Sequence, residues 1–341
     1  MKKKISVIGL GYIGLPTAAL LAQKKSFIVH GSDISTSRLN ELRKLKINLF
    51  EKNLNTLIKE SIRKKKIFLE KKITSSDFFI ICVPTPFYLR NKKYIADLSS
   101  VNNAVSKILK VLKKGNTIIL ESTVPIGTSK KIYEKILKFG FKKNDINFAY
   151  CPERVLPGDI LNELINNDRV IGGINNKSKF LVSNFYKKFV KSNVYTCDAA
   201  TAEMSKLAEN SYRDVNIAFA NELSMICDSQ KINTNELITL ANKHPRVNIL
   251  KPGCGVGGHC IAVDTYFLIQ NNPKISNLVS ASRKVNNYKT RWVEKKIINH
   301  IKDFESKNHK NPIIAYLGLG YKANSGDLRE SPSLKIAKKL N

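Results

Sequence analysis

Acidic residues are scarce in this chain of 341: 27 Asp and Glu stand against 58 Lys and Arg, a net charge of +31. Such an excess favours acidic partners (nucleic acid, an anionic membrane, a phosphate-bearing small molecule) and selects none of them. The lysines come in short runs beside Ile and Asn, such as Lys64-Lys65-Lys66 and Lys113-Lys114, which a drift in genome composition produces equally well. No uninterrupted apolar run reaches the ~18 residues needed to cross a bilayer. Met1-Lys2-Lys3-Lys4 and the apolar residues up to Ala22 have the look of a secretion signal, but Gly9, Gly11, Gly14 and Pro16 interrupt it. The six cysteines form no CxxC pair, which argues against a zinc site or a thioredoxin-type motif, and no metal is expected. Thiols outside disulfides suit a reducing, cytoplasmic compartment. There is no internal repeat and no helix-turn-helix, zinc-finger or aromatic RNA-binding string, so neither nucleic acid nor membrane is an expected partner. With 43% hydrophobic residues the chain can bury sizeable cores, and its length predicts two or three domains.

Strand-like and helix-like segments alternate from the start. Apolar runs predict strands at 5–10, 27–32, 78–83, 117–121 and 146–150, with later strands at 169–173 and 193–196. Helices are expected at 15–25, 99–112, 128–139, 199–230 and 276–304, and a last strand at 312–319. Strands separated by helices imply an α/β fold with a parallel, doubly wound sheet of Rossmann type. The expected organisation is a dinucleotide-binding domain (1–198), a helical middle (199–308) and the opening βα unit of a second, shortened Rossmann-like domain (309–341).

Gly9-Leu10-Gly11-Tyr12-Ile13-Gly14 matches GxGxxG, follows a strand and opens a helix. Its glycines allow a tight turn and a close backbone approach to a pyrophosphate, which the helix N-terminus then attracts. Asp33, nineteen residues after Gly14, is placed to accept hydrogen bonds from ribose hydroxyls, which favours NAD over NADP. Arg38 lies just beyond and reads equally as a cofactor contact or a solvated helix charge. Thr85 and Thr123 follow two further strands and so face the cofactor, unless they only cap the next helices.

The segment from Lys251 to Asp264 has four glycines in the six positions 253–258, which brings backbone close to something. Cys260 ends this loop at a helix start, where the dipole favours a thiolate, and Asp264 lies one turn on. That suits a nucleophile with a nearby carboxylate; Cys254 is a rival without one. On the long helix Glu203, Lys206, Asn210, Arg213 and Asp214 share one polar stripe. If buried, it must be paired or functional, and a Lys beside an Asn can stabilise charge on oxygen. In the loop Cys151–Gly158, Glu153 can serve as a general base and Arg154 as an anion contact, a task that His244 and Arg246 also suit.

These strings together (Gly9–Ala18, Cys82–Phe87, Glu121–Thr128, Tyr150–Gly158, Asn167–Gly173, Ala202–Leu223, His244–Asp264 and Asp327–Ser333) resemble the UDP-glucose/GDP-mannose 6-dehydrogenase family almost from end to end. The CPERVLPG and HPRVNIL strings are similar to the branch acting on UDP-N-acetylmannosamine. The resemblance implies a four-electron oxidation of the sugar C6 alcohol to a carboxylate, reducing two NAD, in polysaccharide biosynthesis. It implies that Cys260 attacks the intermediate aldehyde, giving a thiohemiacetal and then a thioester. Lys206 and Asn210 would steady the oxyanion, Asp264 with Thr123 would hold a water that takes the first proton, and Glu153 would assist thioester hydrolysis. Gly9, Gly11, Tyr12, Ile13, Gly14, Asp33, Arg38, Thr85, Thr123 and Arg329 would bind NAD. Arg154, Val155, Lys206, Asn210, Arg213, His244, Arg246, Gly255, Gly257 and Lys322 would bind the UDP-sugar. A homodimer through the long helix is implied, with Arg246 reaching a neighbour's site. The family's third domain is cut short here, so a folded, inactive NAD-binding remnant is an alternative, as is the same chemistry on UDP-N-acetylglucosamine or UDP-glucose.

Overall fold

The strands expected up to residue 198 all form. In order, the elements are β1 (Lys3–Ile8), α1 (Gly14–Leu21), β2 (Phe27–Ser32), α2 (Thr36–Arg43), α3 (Lys52–Arg63), β3 (Ile67–Glu70), β4 (Phe78–Ile81), β5 (Phe87–Arg90), β6 (Lys93–Ala96), α4 (Ser99–Leu109), β7 (Thr117–Leu120), α5 (Thr128–Lys138), β8 (Asn147–Tyr150), α6 (Ile160–Asn166), β9 (Arg169–Gly173), α7 (Asn176–Tyr186) and β10 (Val194–Asp198). They are followed by α8 (Ala199–Gln230), α9 (Thr234–Ala241), α10 (Ile261–Asn271), α11 (Asn277–Asn308) and α12 (Pro332–Leu340). This computed structural model describes residues 2–47, 49, 51–91, 93–155, 158–258, 260–321 and 328–340. It divides into two compact units, Met1–Lys206 and Leu207–Asn341.

The first unit is built on an eight-stranded sheet in the order β10-β9-β8-β7-β4-β1-β2-β3, with a separate β5–β6 hairpin. Both faces are covered, which explains why the strands read as continuous apolar runs rather than alternating ones. Ile5, Val7, Ile80, Ile119 and Ala149 face one core with α1; Ile8, Phe79, Ile81, Ile118, Leu120 and Phe148 face the other with α4 and α5. The expected all-parallel sheet needs one correction. β9 runs antiparallel to β8, pairing Ala149 with Gly173 and Tyr150 with Gly172, while the remaining ladders are parallel. Gly172 is required by the packing that follows, since a Cβ there would meet the Ala202 Cβ at 2.5 Å.

α8, whose first eight residues belong to the first unit and the rest to the second, has the bounds read from the sequence, and most of its polar stripe is buried. Of the apolar positions, Leu207 and Ala220 are buried, whereas Met204 and Phe219 are exposed. The buried positions include Glu203, Lys206, Asn210, Asp214, Asn221 and Ser224. Arg213, placed on the same stripe, is exposed. Buried polar groups must be partnered, and α11 supplies partners to Asp214, Asn221 and Ser224. Arg283 donates to Asp214 Oδ1 at 2.9 Å, and Asn286 donates to the same oxygen at 2.8 Å. Asn286 Oδ1 accepts from Asn221 at 2.9 Å, and Lys289 donates to Ser224 at 2.7 Å. Residues 312–319 form no strand, because no neighbouring strand in the described residues pairs with their backbone; Ile313 and Leu317 are fully exposed. Among the described residues no helix is long and apolar enough to cross a membrane.

Removing one member of a buried ion pair leaves the other unpaired, at a typical cost of about 3–5 kcal/mol. We therefore expect Asp214→Ala to lower unfolding free energy by about that amount. Urea titration followed by fluorescence of Trp292, the chain's single tryptophan, measures it; a loss under ~1 kcal/mol, the range of an exposed pair, refutes it.

Candidate active site

The glycine loop between β1 and α1 closes on itself. Gly9 has φ +92°, and a Cβ on Gly14 would lie 1.9 Å from the Gly9 carbonyl oxygen. Gly11 differs: an added Cβ meets nothing within 4 Å. No side chain caps α1, whose N-terminus is therefore a ready anion site. Tyr12 and Ile13, both half-buried, complete the turn. Asp33, at the end of β2, accepts the Leu10 N–H at 2.9 Å on one oxygen and the Ser35 N–H at 2.8 Å on the other. The carboxylate thus braces the loop and keeps further lone pairs for ribose hydroxyls. Arg38 donates through Nε to the Leu10 carbonyl at 3.2 Å, so it too supports this loop rather than lying free in solvent. Thr85 donates to the Thr123 carbonyl at 2.7 Å. Neither threonine caps a helix, since Leu98 and Gly127 occupy the N-cap positions of α4 and α5. Glycine cradle, bare helix terminus and acidic residue together fit a dinucleotide.

Elsewhere in the first unit the loop after β8 carries Glu153, Arg154 and Val155. Glu153, the expected general base, is buried. Its Oε1 accepts the Arg154 and Val155 N–H groups at 2.7 and 3.1 Å, and its Oε2 accepts from Arg169 at 2.6 Å. Lys206 donates to the Glu153 carbonyl oxygen at 2.7 Å. Glu203 is structural: it accepts the Gly127 and Ser129 N–H groups at 2.6 and 2.7 Å and so caps α5 from a distance. Beside Glu153 lies a cluster that the sequence reading missed. Tyr186 donates to Glu121 Oε1 at 2.5 Å, and the Cys82 thiol donates to its other oxygen at 3.1 Å. Burial, with Glu153 adding repulsion, pushes the Glu121 carboxyl up, against the pull of Arg169, Tyr186 and Cys82. Burial likewise pushes the Cys151 thiol up to about 12, so it is inert. The one sequence signal for this cluster was a charged residue, Arg169, opening an apolar strand.

In the second unit Cys260 is the N-cap of α10, and its carbonyl accepts the Asp264 N–H at 2.8 Å. Asp264 is buried and accepts from the Asn210 side chain at 2.6 Å. Thus the expected nucleophile, carboxylate and amide are joined through one helix turn and one hydrogen bond. The glycine loop before Cys260 packs on protein. A Cβ on Gly255 would lie 2.3 Å from Thr290 Oγ1, and one on Gly257 would lie 2.6 Å from the Tyr321 Cβ. Gly258 donates to the Arg329 carbonyl at 2.9 Å, while the Arg329 side chain is exposed. Gly253 donates to Asn221 Oδ1 at 2.9 Å, and Thr290 donates to the Cys254 carbonyl at 2.9 Å. His244 and Arg246 are exposed, and Lys322 lies outside the described residues.

Two family models match the chain. The NAD binding domain of the UDP-glucose/GDP-mannose dehydrogenase family matches residues 3–190, and the central domain of the same family matches residues 200–288. UDP-N-acetyl-D-mannosamine dehydrogenase of Methanococcus maripaludis is 47% identical over 343 residues, covering 99% of this chain and 77% of that protein. NDP-N-acetyl-D-galactosaminuronic acid dehydrogenase of Ralstonia nicotianae is 43% identical over 347 residues, covering 99% and 80%. The solved UDP-D-ManNAc dehydrogenase from Pyrococcus horikoshii superposes with a TM-score of 0.90 at 37% identity, covering 99% and 80%.

The two loop glycines separate folding from binding. Gly11→Ala, built into open space, should keep stability within about 1 kcal/mol yet weaken NAD binding at least about tenfold, because the methyl occupies the approach of the pyrophosphate. Gly14→Ala should destabilise the chain itself. Thermal unfolding and NAD fluorescence titration of both variants test this; equal NAD affinity in Gly11→Ala and the parent would contradict it.

Proposed function

The chain belongs to the UDP-glucose/GDP-mannose dehydrogenase family, and from that premise we propose that it oxidises UDP-N-acetyl-D-mannosamine at C6 to the uronate. It is an NAD-dependent nucleotide-sugar dehydrogenase. The observation that carries the chemistry is the second unit's trio: Cys260 at a helix N-terminus, Asp264 one turn on, and Asn210 bonded to Asp264. The preference for an N-acetylhexosamine rests on the names of the relatives at 43–47% identity. A cytoplasmic setting fits six cysteines outside disulfides.

When bound, NAD accepts one hydride in each of the two oxidations. Asp264 holds the water that takes the alcohol proton as C6 becomes an aldehyde. The Cys260 thiolate, favoured by the α10 dipole, adds to that carbon. Lys206 and Asn210 donate to the oxygen that gains charge, which lowers the barrier most where water is excluded; Lys206 and Asn210 are both buried. Loss of the second hydride leaves an acyl thioester, and Glu153 assists its hydrolysis. Arg154, Val155, the Gly255 and Gly257 backbone, Arg213 and Lys322 are assigned to the nucleotide sugar, and Arg329 to NAD. His244 and Arg246 join the sugar-nucleotide set, with Arg246 donated to a neighbouring copy.

That last role needs a homodimer, for which α8 offers a surface. Met204, Tyr212, Phe219 and Ile226 are 41%, 71%, 51% and 51% exposed and recur every seven or eight residues, the spacing of a helix–helix seam. Phe219→Arg should therefore convert a dimer to a monomer in sedimentation equilibrium, and a parent that is already monomeric refutes the seam.

The purified chain should release two NADH per UDP-N-acetylmannosamine. Its kcat/KM on UDP-N-acetylglucosamine and UDP-glucose should be at least about tenfold lower, the discrimination a few pocket contacts give. Cys260→Ser should lose turnover by several orders of magnitude while still binding NAD. A chain that binds NAD but makes no NADH from any of the three sugars overturns the reading.

A further inference from the structure

Arg169 has no task in the reaction so far, yet its setting is highly specified. It is 2% exposed, and its guanidinium stands 5.6 Å from the Tyr186 ring centroid. One nitrogen donates to Glu153 Oε2 at 2.6 Å, and another donates to the Leu164 carbonyl at 3.2 Å. Burial works against the charge, but Glu153 beside it keeps the guanidinium ionised. A carboxylate offers about four acceptor directions. On Glu153 the Arg154 and Val155 N–H groups fill both on Oε1, and Arg169 fills one on Oε2. One direction is left without a partner among the described residues.

We propose that Arg169 is a positioning residue for Glu153. The inference rests on the reading of Glu153 as the group that assists thioester hydrolysis. With the two amides alone, the carboxylate would pivot about Oε1. The contact on Oε2 fixes its plane and leaves a single lone-pair direction for the attacking water. In that step the water oxygen bonds to the acyl carbon and one water proton passes to Glu153. The C–S bond then breaks, Cys260 leaves as thiolate, and the acid releases its other proton to solvent. The same peptide also holds Lys206 through the Glu153 carbonyl, so a fixed Glu153 steadies both groups. Stability alone is a weak reason for this arrangement, because buried ion pairs are often no better than apolar replacements. Tyr186 and Glu121 complete the second side: Glu121 is a further buried carboxylate that draws on Arg169 and gains a hydrogen bond from Tyr186.

Arg169→Lys keeps the charge but cannot reach Glu153 and the Leu164 carbonyl together. Stopped-flow absorbance with UDP-N-acetylmannosamine and NAD should show a burst of two NADH per site. Turnover should then be about 100-fold slower than the parent's, the effect of misplacing a reacting group by about 1 Å. Intact-mass spectrometry should find the sugar acyl group on Cys260, and KM should change by less than about threefold. Arg169→Met should be slower still. An unchanged kcat overturns the proposal, and so does a slower reaction with neither burst nor adduct, because a merely structural loss would slow the first oxidation too. If Arg169→Lys fails to fold, adding Glu121→Gln removes the surplus buried negative charge and the same readings apply. If the parent makes no NADH at all, the proposed function falls separately. A crystal structure of Arg169→Lys with the Glu153 carboxylate undisplaced then overturns the positioning claim on its own.

Discussion

The arrangement depends on a helix that buries charge. α8 turns Glu203, Lys206, Asn210 and Asp214 inward, and a buried ion without a partner costs several kcal/mol. Each of these side chains is therefore committed to particular partners, and each partner is a piece of the chemistry or of its support. Glu203 fixes the turn ahead of α5, just after Thr123. Lys206 is tied to the Glu153 peptide. Asn210 holds Asp264. Asp214 fixes α11, whose Asn286 holds Asn221, which in turn holds the backbone of the loop leading to Cys260. An apolar face would tolerate sliding by a fraction of a turn. A row of hydrogen-bonded polar side chains does not, because a shift breaks several bonds at once.

Two glycine-rich loops serve opposite ends by the same absence of a Cβ. In the loop after β1, Gly9 and Gly14 let backbone meet backbone, and Gly11 is left facing open space. In the loop before Cys260, Gly255, Gly257 and Gly258 are filled from outside by Thr290, Tyr321 and Pro332. The first leaves room for a ligand. The second is clamped by its own chain, which sets the backbone direction at which α10 begins and hence where Cys260 stands.

Local signals account for what was legible in the sequence. The βαβ pattern, the GxGxxG turn, the 32 residues of α8 and the helix start at Cys260 each follow from periodicity, glycine placement or capping within a few residues. The remainder depended on contacts between distant positions. The antiparallel β9 is set by pairing with β8, which no local pattern encodes. Whether the polar stripe of α8 is buried was left open by the pattern, because Met204 and Phe219 look like core residues, and the partners on α11 show that the polar side is buried. That Glu153 is buried and paired was not legible either, because Arg169, sixteen residues away, gives no local sign of pairing with it.

Arg169 also explains why the loop after β8 can hold two functions in so few residues. Glu153 uses its side chain in one direction and its carbonyl in another: the carboxylate engages Arg169 and two amides, and the carbonyl engages Lys206. Both demands are met only if the peptide is rigid. Proline at position 152 limits one torsion before it, and the three bonds to the carboxylate restrict those after it. The buried guanidinium thereby turns a loop, ordinarily the most variable part of an α/β fold, into a fixed support for a group that must be aimed.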